Sequence, residues 1–103
     1  MMYDEQFKSR LIELREQKGV SARDMSLSIG QNPGYINAIE SGKSLPSMSG
    51  FFYICDFLNI SPKDFFDTEN NNPEKLNALI SDLKKLEDEK LDSIASIVKG
   101  LIK

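Results

Sequence analysis

The sequence predicts a small all-α protein: a five-helix module followed by one or two C-terminal amphipathic helices. Three observations carry that prediction. Apolar residues recur at three- and four-residue intervals through most of the chain, and no stretch shows the alternation that a half-buried strand needs. Most of these runs are bracketed by helix start and stop residues: Ser21, Asn32, Ser47 and Ser61 in front, Gly19, Gly30, Gly42 and Asn59 behind. A polar, turn-rich stretch, Asp67 to Pro73, separates the first five runs from the rest.

The first helix is read over Glu5 to Lys18, with Phe7, Leu11 and Leu14 on its apolar face and Ile12 beside them. Lys18 lies in the last turn, where a cation suits the helix dipole, and Gly19 closes the helix. The second starts at Ser21, with Asp24 three residues on in a capping box that uses Asp for Glu. Its face is Ala22, Met25 and Ile29, with Leu27 close by, and Gly30 ends it. The third is read over residues 32–41. Asn32 serves as N-cap and Pro33 occupies the first helical position, where its missing N–H is no loss. Ile36 and Ile39 form the stripe, Tyr35 flanks it, and Gly42 stops the helix. Ser47 caps the fourth, which turns Phe51, Ile54, Cys55 and Leu58 inward with Phe52 and Phe57 adjoining; Ser61-Pro62 then opens a short fifth helix through Phe66. The expected organisation is therefore a module at residues 1–68, a linker at 69–73 and a helical segment at 74–103. In that segment Leu76, Leu79, Ile80, Leu83 and Leu86, then Leu91, Ile94, Val98 and Leu101, keep helical spacing. Glu87-Asp88-Glu89 between the two sets reads as the acidic first turn of a new helix, so two helices with a break near residue 87 are favoured over one.

Composition narrows the function. A chain of 103 residues buries one modest core and leaves little room for a large catalytic cleft. No apolar run approaches the roughly 20 residues of a membrane span. Met1 to Glu5 has neither the basic nor the apolar region of a signal peptide, so the expected compartment is the cytoplasm. There is one cysteine and no histidine, which excludes an internal disulfide, histidine-dependent zinc sites and His-activated nucleophiles. No phosphate-binding loop is present. An enzyme is not expected, nor a metal or cofactor. Cys55, on the apolar face of the fourth helix, reads as core filler.

The informative segment is residues 21–42: two short helices joined at Gly30-Gln31-Asn32. So short a connection makes them cross steeply and pack through Met25, Ile29, Ile36 and Ile39, and it presents the second helix on the surface. The run Leu11 through Phe66 resembles the phage-repressor/Cro (Xre-type) helix-turn-helix family. The matching residues are Leu14-Arg15, Gly19-Val20-Ser21, Gly30, Ile36, Ile39-Glu40, Gly42-Lys43, Pro46-Ser47, Phe51, Ile54, Leu58-Asn59-Ile60-Ser61 and Phe65-Phe66. The resemblance implies an Arg15–Glu40 ion pair between the first and third helices. It implies base-facing positions at Pro33, Gly34 and Ala38, with Tyr35 and Asn37 toward phosphates or the groove wall. It further implies phosphate contacts from Ser21 to Arg23 and from Gly42-Lys43-Ser44. The partner implied is double-stranded DNA, entered at the major groove by helix 32–41 of a homodimer.

Two features depart from that pattern. Ala22 stands where the family often has Gln, and Pro33, Gly34 and Ala38 offer no polar side chain. Bidentate base readout needs Arg, Lys, Asn or Gln. That leaves Asn32, Tyr35, Asn37 and Gln31 to hydrogen-bond, Ala38 to meet a thymine methyl, and DNA shape to supply part of the specificity. Asn32 is at the same time a helix cap, Arg15–Glu40 a packing pair, and Lys43 a residue just after a helix-ending glycine. The module nets −2, from seven basic and nine acidic residues through Thr68, with Arg15, Arg23 and Lys43 expected around the reading helix. The apolar faces at 74–103 are wide. Docking back on the module and pairing with a second copy both satisfy them, and pairing is favoured because two half-sites call for a dimer. The DNA-binding transcriptional regulator, a repressor by type, is the leading reading. A protein-interaction module of the same fold with little DNA affinity is the alternative.

Overall fold

The computed structural model describes residues 2–102, which form seven α-helices and no strand: α1 (Met2–Lys18), α2 (Ala22–Ser28), α3 (Tyr35–Glu40), α4 (Met48–Leu58), α5 (Pro62–Phe66), α6 (Pro73–Leu83) and α7 (Asp88–Leu101). Serine caps recur. The Ser21, Ser47 and Ser61 hydroxyls accept from the backbone N–H of Asp24, Gly50 and Asp64 at 3.0, 3.0 and 3.1 Å. Helix ends are closed by left-handed residues: Gly30 and Gly42, at φ 78° and 82°, follow α2 and α3. There the six-to-one bonds Gln31 N–H to Ser26 O and Lys43 N–H to Ala38 O, both 2.9 Å, satisfy the last carbonyls. Asn59 plays the same part after α4 at φ 58°.

Three boundaries differ from the sequence reading. α1 begins at Met2, because Asp4 and Glu5 suit its first turn rather than preceding it. α3 begins at Tyr35 and not at residue 32. The Asn32 carboxamide accepts from Gly34 N–H at 3.0 Å, an Asx-turn that holds Asn32 to Gly34 outside the helix, and Gly34 is the N-cap. Pro33 is therefore a turn residue. Pro73, read as the end of the linker, is the first residue of α6 and fully buried, with Asn72 capping it through Lys75 N–H at 3.2 Å.

The core lies among α1 to α5: Leu11, Leu14, Met25, Ile36, Ile39, Phe51, Ile54, Cys55, Leu58, Ile60 and Phe65. α1 contacts α3, α4 and α5, and α2 packs on α3. Phe7, Phe51 and Phe65 meet with ring centroids 5.0 to 5.7 Å apart, within the range of favourable aromatic pairing. Leu27 and Phe52, read as near the stripe, are about half exposed, because α2 turns Met25 and Ser26 inward and α4 turns Phe51, Ile54, Cys55 and Leu58 inward.

One buried charge ties the module together. Arg10 is 4% exposed. Its guanidinium donates to the carbonyls of Phe65 (2.6 Å), Asp64 (2.8 Å), Asp67 (2.9 Å) and Asn70 (2.9 Å), and pairs with Glu13 at 2.8 Å. It thus supplies donors to the orphan carbonyls at the end of α5 and fixes the path of the chain toward α6.

α6 is anchored at its start only. Lys18 reaches Glu74 at 3.5 Å, the Gln17 amide donates to Asn71 O, and the Asn77 amide donates to Asp64 at 3.0 Å. Leu76, Leu79 and Ile80 are exposed, and α7 buries no residue. The molecule measures 51 × 28 × 22 Å with a radius of gyration of 16.8 Å, against about 13 Å for a compact chain of this length.

Candidate nucleic-acid interface

The α2–α3 pair is held from three sides. Within the pair, Ser26 is fully buried, and its hydroxyl accepts from Ile36 N–H at 2.9 Å while donating to Ala22 O at 2.7 Å. One side chain therefore serves the first turn of α3, whose N–H groups have no helical partner, and binds it to α2. Beneath, Ile36 and Ile39 are 0% and 2% exposed. From α1, Arg15 makes a bidentate pair with Glu40 at the end of α3, Nε to Oε2 at 2.7 Å and Nη2 to Oε1 at 3.0 Å, and donates to Val20 O at 2.9 Å. The Glu40 hydrogen bond raises the Arg15 pKa above its ordinary value, outweighing burial. Both side chains are 15% or less exposed, so this pair is far less screened than a surface ion pair.

The opposite side of the pair is open. Asn32, Pro33, Gly34, Asn37, Lys43 and Ser44 are exposed, as are Ser21 and Arg23 at the start of α2. Ala38 is half-buried. Tyr35 is also half-buried, and its hydroxyl lies against Gly50 in the first turn of α4, where burial raises its pKa. The residues singled out from the sequence thus come from one stretch, 21–44, wrapped around a rigid helix pair. Charge is distributed unevenly there. Among the described residues Lys8, Arg10, Arg15 and Lys18 are engaged by carboxylates, whereas Arg23 and Lys43 make no ion pair. Two uncommitted cations therefore bracket α3 in sequence.

The profile of the helix-turn-helix domain family matches residues 9–71. The chain belongs to the helix-turn-helix domain family. That match runs from the middle of α1 through α5 and is consistent with the Xre-type likeness read from the sequence. No curated protein and no solved structure matches the chain significantly. Among the described residues no helix of this helix-turn-helix protein is long and apolar enough to cross a membrane, and no group of three or more Cys, Asp or Glu could hold a metal ion.

Three residues that hold the module together escaped the sequence reading. Ser26 had a local signal, a polar residue at an inward position of a two-turn helix. Gly50 had one too, a glycine inside an apolar helix. Arg10 had none, because its carbonyl partners lie 54 to 60 residues away.

Proposed function

We propose that this protein is a DNA-binding transcriptional regulator, a repressor by type, that reads the major groove as a homodimer. The observation that carries the reading is the open face of a helix pair locked on its other sides by Ser26, by the Ile36 and Ile39 core, and by Arg15–Glu40. A face held this rigidly, with Asn32, Asn37 and Ala38 on it and two unpaired cations beside it, fits a groove between phosphates. Asn37 makes the hydrogen-bonded base contact, Ala38 takes an apolar contact such as a thymine methyl, and Pro33-Gly34 lets the backbone approach closely. Ser21, Arg23, Lys43 and Ser44 meet phosphates. With so few cations, DNA shape supplies part of the specificity. The salt slope of a dimer is about −4, that expected when roughly four phosphates are neutralised.

The dimer reading rests on the tail. Leu76, Leu79 and Ile80 on α6 and Ile97, Val98 and Leu101 on α7 are all at least 40% exposed. An apolar surface of that extent on a monomer marks an interaction site. Charges over residues 73–102 are near balance, five Lys against six Asp and Glu, so a second copy meets no net repulsion. The test is a fluorescence anisotropy titration in about 50 mM salt, where phosphate contacts are strong, using a duplex selected by the protein from a randomised pool. Saturable binding by a species of dimer mass is expected. A folded protein that selects no duplex would instead support the protein-interaction reading.

A further inference from the structure

Gly50 occupies the third position of α4, in ordinary helical conformation and buried. Glycine weakens a helix interior relative to alanine, and no positive φ requires it here. The reason lies opposite. A methyl group on Gly50 would overlap the Tyr35 hydroxyl oxygen, and would also stand 3.3 Å from the Ser47 hydroxyl and 3.5 Å from Pro46 Cβ. Tyr35 is the first residue of α3, so its ring spans from the groove-facing end of that helix to the first turn of α4, which the loop Lys43 to Pro46 enters.

The geometry points to Tyr35 and Gly50 as a pair of positioning residues that set the stance of the reading helix relative to the phosphate-facing loop. The inference rests on the DNA reading above and deepens it: Tyr35 touches no base, and it acts through Asn37 and Lys43. A protein reads a site when base contacts and backbone contacts are in register together. The ring has two rotatable bonds and stands in a half-buried slot, which makes it a stiff spacer between the two sets. Its length is matched to the absence of a side chain at Gly50. The first turn of α4 that the ring meets is itself fixed, since Ser47 caps Gly50 N–H at 3.0 Å, and Ser47 and Pro46 also crowd the place a Gly50 side chain would take.

The test is a double-mutant cycle in the full chain, read on the duplex selected by the native protein and on a scrambled duplex of equal length. Gly50→Ala is expected to lose roughly tenfold on the selected duplex, the scale of one mismatched base pair, while scrambled-duplex binding is unchanged. Tyr35→Phe, which removes only the obstructing oxygen, supplies the reference for the cycle, and its affinity is measured on both duplexes. Gly50→Ala combined with Tyr35→Phe binds the selected duplex as Tyr35→Phe does, so the tenfold loss disappears, and in thermal melts it is no less stable than Tyr35→Phe because alanine favours the helix. A purely structural role would instead lower binding to both duplexes in proportion to the unfolded fraction. If Gly50→Ala alone does not fold, the double variant decides, since it lacks the overlap and must fold and bind. The inference is overturned if Gly50→Ala binds the selected duplex normally, or if the double variant remains as weak as Gly50→Ala. Selection of no duplex by the native protein removes the reading on which it rests; coupling of the two sites in the melts then assigns the pair to packing alone.

Discussion

The module and the tail are both helical and both amphipathic, yet they spend their apolar residues differently. In α1 to α5 the apolar faces point at one another, and eleven hydrophobic side chains are buried in one cluster. In α7 the same periodicity ends on solvent, with Ile97, Val98 and Leu101 at 59%, 46% and 79% exposure. Short helices are marginal without tertiary packing. The five-residue α5 persists because Phe65 is buried and Arg10 holds its last carbonyls. α7 is longer and has no such support within the chain. The contrast teaches that periodicity identifies a face, whereas burial shows what the chain itself does with it: internal packing in one region, a face left on solvent in the other.

The largest expected effect separates the two regions directly. Ile36→Ala should lower unfolding stability by about 3 kcal/mol in denaturant titrations, whereas Ile97→Ala, measured at protein concentrations that leave the monomer, should change it by less than about 0.5 kcal/mol. Comparable losses at both sites would erase the distinction. Next comes Arg10→Met, which leaves several carbonyls at the α5 end without a donor and should cost on the order of 2 kcal/mol. A loss as small as that of a surface ion pair would show that those carbonyls find water. For the tail, Ile97→Asp together with Leu101→Asp should convert a dimer to a monomer in sedimentation while the melting of the module is retained. A native protein that sediments as a monomer contradicts the dimer reading. Lys43→Glu should weaken binding to all duplexes alike and flatten the salt dependence by about one per subunit.

The smallest effect concerns Cys55. Burial, with Asp56 adding, pushes its thiol up to about 11 from 9.0. The unfolded chain ionises first as pH rises, so the folded state holds the proton longer. The Cys55 contribution to stability is intact below about pH 9 and declines toward pH 11. Comparison with Cys55→Ala across that window isolates it. The same burial makes native-state thiol labelling slow relative to the denatured chain.

What could be read from the chain follows from how local the cause is. Caps and stops are decided within four residues, so Ser21, Ser47, Ser61, Gly30 and Gly42 identified helix ends correctly. The start of α3 was misplaced because Asn32 can cap a helix or close an Asx-turn, and Gly34 two residues on donates its N–H to the Asn32 carboxamide in the turn. Leu27 was placed too close to the core because a seven-residue helix has one inward face, which Met25 and Ser26 occupy. The family and its open face were legible from the spacing of 21–42. The Arg10 anchor and the Tyr35–Gly50 contact were not, because each joins elements that only the tertiary fold brings together.

The central claim, that the open face of α3 reads bases, is tested most directly by selecting duplexes from a randomised pool with the native protein and with Asn37→Ala in parallel. The account predicts that the two recover motifs differing at the base pair Asn37 contacts, once in each half-site, while the flanking positions agree and both proteins melt alike. Identical motifs from the two proteins would contradict it, since the exposed asparagine at the middle of that face would then touch no base.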